Sequence, residues 1–387
     1  MKITADYIFT GKGAPIKNGV VIVDDNGKIE AIIDPLKQEK PTGEIIKHKG
    51  IICPGFVNTH CHLELSYLKG KINEGTQLHG FVEQLMAIRE KATEQERWTS
   101  IQLAEQEMVN NGIVAVGDIS NGNTSFYQKE KKHLKYHTFV EVFGLEEKDA
   151  QQIMDRANSL AKNYFRATRI SVTPHAPYSM SKNLMDMVAK QSTELFTIHN
   201  QETAGENELF ETATGKLYEQ LAKFSTAINN WEPTGKTSLT SYLDKLPKNK
   251  RILLVHNIYT TKEDIIFARL FSNNIYWCFC PNANQYIEAK QPDYSLFTNE
   301  KCTIGTDSLA SNWGLSILDE LKTISKKNPF IPLEKLIQWA TFNGAEFLGF
   351  DELGSIAVGK TPGLNLIENL DLENLQLTEE SKITLLS

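Results

Sequence analysis

The stretch "CPGFVNTHCHLELS", Cys53 to Ser66, sets two imidazoles one residue apart with a carboxylate just behind them, in a chain of 387 residues with nine histidines. Side chains alternate across a strand, so His60 and His62 share one face while Cys61 takes the other. Paired neutral imidazoles on one face can grip a divalent metal. Three more histidines close apolar runs further along, His175 in "RISVTPH", His199 in "LFTIHN" and His256 in "RILLVHN", and Asp307 closes "CTIGTD". His60, His62, His199 and Asp307 make a donor set of three nitrogens and one carboxylate, suited to zinc with a position left for water. One histidine at a strand end is usually a hydrogen-bonded structural residue. Five on one rim, with an aspartate, outweigh that ordinary reading. His48, His79, His133 and His137 fall in loops or at strand starts and read as structural or solvated.

Two glutamates lie beside these groups in sequence. Glu202, in "HNQE", follows His199 by three residues and is suited to carry protons between water and a leaving group. Its competing role is to cap a helix starting near Thr203; the proton-carrying role is preferred. Glu64 has two readings of equal weight. Its carboxylate accepts hydrogen bonds from an amino-heterocycle or from sugar hydroxyls, or it stands in a first helical turn facing solvent.

The elements that must position these groups follow from the pattern of apolar residues. Strands are expected at "IICPGFVNTH", "GIVAVGDI", "HTFVEVFGL", "RISVTPH", "LFTIHN", "RILLVHN", "NIYWCFC" and "CTIGTD". Between them lie amphipathic helical stretches such as "SIQLAEQEMVNN", "SKNLMDMVAKQS", "KEDIIFARLFS" and "LSILDELKTIS". Strands alternating with helices imply parallel pairing, and eight such strands close a (β/α)8 TIM-type barrel, with an open doubly wound sheet as the alternative. In a barrel the strand C-termini, where the histidines fall, carry the site. Both ends of the chain read as short strands, with Asp25-Asn26-Gly27 as a hairpin turn. They are expected to form one small β-sandwich. The division is then residues 1–52 and 350–387 for the sandwich and 53–349 for the barrel.

Composition narrows the function class. With 41% hydrophobic and 23% charged residues the chain is globular, and its net charge of -7 offers no basic surface for nucleic acid. No apolar run approaches the ~18 residues of a membrane span, and the N-terminus lacks a signal peptide's apolar segment. Five irregularly spaced cysteines fit free thiols, so the expected compartment is the cytoplasm and the expected partner a small molecule.

The motifs "PGFVNTHCH", "TPHAPYS", "HNQET", "LLVHN" and "GTDSLASN", in this order, resemble the metal-dependent amidohydrolase superfamily, in its branch of cytosine, guanine and adenosine-type deaminases and triazine hydrolases. The resemblance covers essentially the whole chain. It implies that His60, His62, His199 and Asp307 bind one zinc or iron and that Glu202 shuttles protons. It further implies that His256 and Asp307 orient and deprotonate the water, that His175 contacts the substrate, and that the protein forms a homodimer. Binuclear relatives carry a modified lysine at the end of strand 4. "RISVTPHAPYS" has none, so one ion is expected.

For the substrate, the pattern His60-x-His62-x-Glu64-x-Ser66 is similar to aminodeoxyfutalosine deaminases, and "GFVEQLMAI" resembles the segment that lines their pocket. Deaminases of S-adenosylhomocysteine usually carry a carboxylate just before the aromatic matched by Phe81; His79 and Gly80 stand there instead, which counts against that substrate. "CPNANQYI" resembles a Cys-Pro-x-Ser-Asn turn with Ala283 in place of serine. "EPTGKTS" lacks the leading glycine of a phosphate loop and reads as a helix entry capped by Thr237 or Ser238. Cys278 and Cys280 read as buried thiols, and Asp118 as a strand-end residue fixing a loop. The expected function is a mononuclear zinc aminohydrolase of an amino-purine nucleoside, aminodeoxyfutalosine- or adenosine-like. The alternatives are a hydrolase that removes halide or alkylamine from a ring or opens a cyclic amide, and a metal-free scaffold.

Overall fold

A computed structural model describes residues 1–39 and 41–386. Short strands open the chain: β1 (Lys2–Thr4), β2 (Tyr7–Ile8), β3 (Ile16–Lys17), β4 (Val20–Val23), β5 (Ile29–Ile33), β6 (Ile46–Lys47) and β7 (Ile51–Pro54). The turn expected around Asn26 forms: Asp24 Oδ1 accepts from the N–H groups of Asn26 and Lys28, Gly27 takes φ +75°, and β4 and β5 pair antiparallel. The body of the chain supplies β8 (Phe56–Cys61), β9 (Ile113–Ser120), β10 (Lys135–Val142), β11 (Arg169–Pro174), β12 (Leu195–Asn200), β13 (Arg251–His256), β14 (Ile275–Phe279) and β15 (Cys302–Ile304). Two further strands, β16 (Leu364–Glu368) and β17 (Lys382–Leu385), follow near the C-terminus.

The terminal strands build two sheets, one ordered β5-β4-β1-β6 and one ordered β17-β16-β7-β2-β3. Ile3 and Val21 from the first and Ile8, Ile52, Leu364 and Leu366 from the second share one apolar cluster. The apolar run expected as a single strand, "IICPGFVNTH", is in fact two. β7 pairs with β16 and β2, whereas β8 pairs with β9, and the chain changes sheet at Gly55, just beyond the 52/53 boundary read from the sequence. A side chain at Gly55 would lie 2.3 Å from Val114 Cγ1 and 2.8 Å from the Pro362 carbonyl, so glycine permits the break.

The body is a mixed α/β fold with two parallel four-stranded sheets, β8 to β11 and β12 to β15. Their edges meet at two places. The His199 N–H donates to the His175 carbonyl at 2.9 Å, and the N–H groups of Thr306 and Asp307 both donate to the His60 carbonyl at 3.0 Å. Alternate residues of one strand enter different cores: Ile252 and Leu254 of β13 pack on the helix side, while Leu253 and Val255 join Val57, Phe139 and Phe347. Cys61 likewise packs on the helix side, opposite His60.

The connecting helices start where local chemistry favours a start. Thr93 and Glu96 form a capping box ahead of the helix Glu94–Asn110, and Thr261 and Asp264 do the same ahead of Lys262–Phe271. The "EPTGKTS" stretch leads into the short helix Ser238–Tyr242, where Thr237 Oγ1 donates to Asp264 Oδ1 at 2.5 Å. Among the described residues no helix is long and apolar enough to cross a membrane. All five cysteines are free and buried.

His137 lies inside β10, buried 2.8 Å from Ser171 Oγ. Burial, helped by the charges of Arg169 and Arg251, pushes its pKa from 6.5 down to about 3. The unfolded chain thus binds a proton at this ring where the folded one does not. The resulting stability is complete above pH 6.5 and is lost as the pH falls toward 3. In His137→Gln the slope of unfolding free energy against pH in this window should shrink by up to one proton, about 1.4 kcal/mol per pH unit. Denaturant titrations at several pH values measure it, and an unchanged slope would refute it.

Candidate metal centre and active site

His60 and His62 end β8 as it passes into the 3-10 turn Leu63–Leu68, and their Nε2 atoms lie 3.2 Å apart. Asp307 Oδ1 is 3.4 Å from His62 Nε2 and 3.7 Å from His60 Nε2. Donor atoms of these three groups lie within 4.8 Å of one another, as do those of His60, His199 and His256. The rings of His60 and His199 are 4.9 Å apart between centroids.

The turn after His62 is pinned from below. Asp118 Oδ1 accepts from the Leu63 N–H at 2.8 Å, and its Oδ2 pairs at 2.5 Å with Lys129 Nζ. Lys129, fully buried, also donates to Ser120 Oγ and Thr138 Oγ1. Asp118 therefore fixes a loop, as its strand-end position suggested. A buried ion pair carries a large desolvation cost unless its remaining hydrogen bonds are made, and here they are.

Each outer imidazole is oriented through Nδ1. His199 donates to the His175 carbonyl at 2.7 Å, His256 to Asn284 Oδ1 at 2.8 Å, and His175 bonds Ser179 Oγ at 2.8 Å. Nε2 of each ring remains as the free donor atom. Burial holds His62 down to about 3 and His175 to about 4, and it drives His199 well below the usual range. These rings are neutral, with lone pairs available. Burial alone would raise the Asp307 carboxyl, but the His60, His62 and His256 rings outweigh it and hold the group ionised. Neutral imidazoles crowded round one carboxylate, with Nε2 atoms facing each other, fit a divalent cation.

The backbone is strained at this rim. His256 has φ +76° and Asp307 φ +57°, left-handed values that cost non-glycine residues of order 1–3 kcal/mol each. Packing pays for it: the Asn257 side chain donates to the carbonyls of Leu254 and Cys278, and Ser311 Oγ donates to Asp307 Oδ2 at 2.7 Å. At Gly305 a Cβ would come 2.8 Å from His60 Cβ, so only glycine lets the last strand approach His60 this closely.

Glu202 lies 3.7 Å from His256 Nε2 and is buried. The helix Ala204–Thr212 begins after Thr203 with no side-chain cap, and Glu206 takes the Gln201 N–H, so Glu202 does not cap it. Burial, then the nearby Asp307 and Glu288 charges, raises Glu202 well above the ordinary glutamate range. Glu202, Asp307, His62, His175, His199 and His256 all line one cavity of about 460 Å³. Its upper walls are apolar, with Phe81, Val82 and Leu85 from the helix Gln77–Ile88 facing Leu217 and Leu221 from Gly215–Phe224. Gln220 Nε2 ties the two helices by donating to the His79 carbonyl at 2.7 Å.

Glu64 departs from expectation: it is not among the cavity-lining residues. It is buried behind the wall, its Oε1 accepting from the Asn121 N–H at 3.0 Å, and burial raises it to about 7. The 3-10 turn after His62 swings it sideways instead of toward the opening. Ala283 packs with Cys278 and Cys280 in an apolar cluster, away from the cavity. His79 belongs to a helix, not a loop. Residues unnoticed in the sequence are Lys129, Asn284 and Glu141. The Asn284 position was visible in "CPNANQYI", but its tie to His256 was not.

A family model described as Amidohydrolase family matches residues 51–385. The chain belongs to the amidohydrolase family. Membership makes it a hydrolytic enzyme acting on C–N bonds, not a scaffold. This amidohydrolase is 28% identical over 362 residues to an aminodeoxyfutalosine deaminase of Nitratiruptor sp., covering 88% of this chain and 85% of the relative. It is 25% identical over 388 residues to a 5-methylthioadenosine/S-adenosylhomocysteine deaminase of Bacillus cereus, covering 94% and 84%. Among solved structures it superposes on Helicobacter pylori aminofutalosine deaminase in complex with methylthio-coformycin with a TM-score of 0.78 at 23% identity, covering 97% of this chain and 93% of that one. It also superposes on a Xanthomonas campestris adenosine deaminase with bound zinc with a TM-score of 0.73 at 19% identity, covering 98% and 87%. These likenesses show the fold of the amidohydrolase.

Proposed function

We propose that this amidohydrolase deaminates an amino-purine nucleoside, adenosine- or aminodeoxyfutalosine-like, using one divalent ion, zinc or iron, held by His60, His62, His199 and Asp307. The reading includes a closed eight-stranded barrel over residues 53–349, a terminal β-sandwich and a cytoplasmic location. The observation that carries it is the convergence of His62, His175, His199 and His256 with Asp307 and Glu202 in one cavity, with His60 Nε2 3.2 Å from His62 Nε2. The names of the relatives support the substrate class. β11 ends Thr173-Pro174-His175 without a lysine, which supports a single ion.

A divalent ion bound there supplies acidified water, with its pKa brought to about 7. His256, steered by Asn284, and Asp307, steered by Ser311, take the proton of the attacking water. Glu202, whose pKa burial raises, gives its proton to the ring nitrogen beside the carbon under attack, takes the proton of the hydroxyl just added and carries it to the exocyclic nitrogen; the water proton held at His256 then restores Glu202. Ammonia leaves in place of the far poorer amide ion. His175, with Nδ1 engaged by Ser179, presents Nε2 to the substrate. The apolar upper walls suit an uncharged extension of the nucleoside and exclude water from the floor.

Purified protein loaded with zinc should release ammonia from a panel of amino-purine nucleosides. Chloride release from chlorinated heterocycles, or ring opening of cyclic amides, without ammonia release would replace this reading with that of another hydrolase.

A further inference from the structure

We infer that Glu141 is the specificity-determining carboxylate of the cavity and accepts a hydrogen bond from a sugar hydroxyl of the substrate, an inference that rests on the nucleoside reading above. Glu141 is the penultimate residue of β10. It lines the cavity although its side chain is more than nine-tenths buried. Its Oε2 accepts from Asn121 Nδ2 at 3.0 Å. Its Oε1 lies 3.5 Å from His199 Nδ1, whose proton already goes to the His175 carbonyl at 2.7 Å. This contact therefore leaves Oε1 without a donor. A carboxylate withdrawn from water with acceptor capacity unfilled is costly, and whatever fills the cavity is the remaining source of a donor.

The surroundings fix both the position and the sign of that donor. Asn121 is clamped at two points, its N–H by Glu64 and its side chain by Glu141, so the Glu141 carboxylate cannot swing away without losing a bond in this chain. Donor atoms of Glu141, His175 and His199 lie within 4.8 Å of one another, which puts the Glu141 carboxylate beside the ring proposed to meet the substrate. A second ion is a poor occupant of this corner, because the His199 Nδ1 facing Glu141 is already protonated toward the His175 carbonyl. A hydroxyl placed there can donate to Oε1. Glu64, the carboxylate first expected to touch substrate, acts through Asn121 as a positioning residue.

The test uses the zinc-loaded full chain and purine riboside, which lacks the amine that would be released, with its 2′- and 3′-deoxy forms, measured by calorimetry. Wild-type protein should bind purine riboside about 10- to 100-fold more tightly than one of the deoxy forms, the range expected of a hydrogen bond to a charged group. In Glu141→Leu that ratio should fall to about one, and in Glu141→Gln, which keeps the shape, to an intermediate value, both with unchanged zinc content. If Glu141→Leu does not fold, the Glu141→Gln ratio decides alone. Equal binding of all three ligands by wild type, an unchanged ratio in Glu141→Gln, or loss of zinc from either variant would overturn the inference. Ammonia release from adenosine and its deoxy forms is followed in parallel. Wild-type protein that binds purine riboside with the expected discrimination but releases no ammonia sinks the deaminase reading and leaves Glu141 standing. Ammonia release that ignores both the hydroxyls and Glu141 does the reverse.

Discussion

Glu202→Gln should lower kcat for ammonia release by about 1,000-fold while the protein keeps its metal, a loss in the middle of the range for a proton-transfer group. Glu202 lines the cavity, 3.7 Å from His256 Nε2, and the helix that follows takes no side-chain cap from it. Glutamine fits the same space and can still accept a hydrogen bond, but it cannot hand on a proton. Burial raises this glutamate well above the ordinary range, which favours the proton-bearing form the proposed role needs. Turnover and metal content, measured on the same preparation, separate this from collapse of the site. Near-normal turnover with metal retained would remove Glu202 from the chemistry.

Stripping the protein with a strong chelator should bring turnover to background, a fall of at least about 10,000-fold, because neutral water is a very weak nucleophile compared with one acidified to a pKa of about 7. One equivalent of zinc should restore it. The four proposed ligands come from β8, β12 and the loop after β15, so neither of the two sheets holds the ion alone. Asp307→Asn should mimic the chelator, since the amide keeps the shape but loses the negative charge that two imidazole edges face at 3.4 and 3.7 Å. Elemental analysis during reconstitution checks the count. Full activity after exhaustive chelation, or a requirement for two equivalents, would contradict a single-ion site.

The imidazole cluster was legible because the signal is local. His60 and His62 share a face by strand alternation, and His199, His256 and Asp307 each close an apolar run, so parallel strands had to bring them to one rim. Glu141 escaped because "FVEV" alternates in the usual way, and alternation alone does not say which face is solvent and which is cavity. Lys129 escaped for a related reason. It adjoins the charged run "EKKHLK", and its burial is decided by Asp118, a partner on β9. Gly55 shows the limit of reading apolar continuity: the Pro54-Gly55 pair interrupts "IICPGFVNTH", but the passage from one sheet to another depends on Val114 and the Pro362 carbonyl pressing on a residue without a side chain. Glu64 fits neither of its two readings, because the 3-10 turn after His62 buries it against the Asn121 N–H, a partner that residue spacing does not reveal.

The His60 carbonyl receives the N–H groups of both Thr306 and Asp307, so the residue proposed to offer a ring to the ion also fastens the opening strand of the parallel region to its closing one. An occupant shared by His60 and Asp307 would work as a rivet across that joint. Filling the site at 1,000 times the dissociation constant would then contribute about 4 kcal/mol to folding. Starved of its ion, the enzyme would lose endurance as well as rate, and its lifetime in a cell would track the supply of metal.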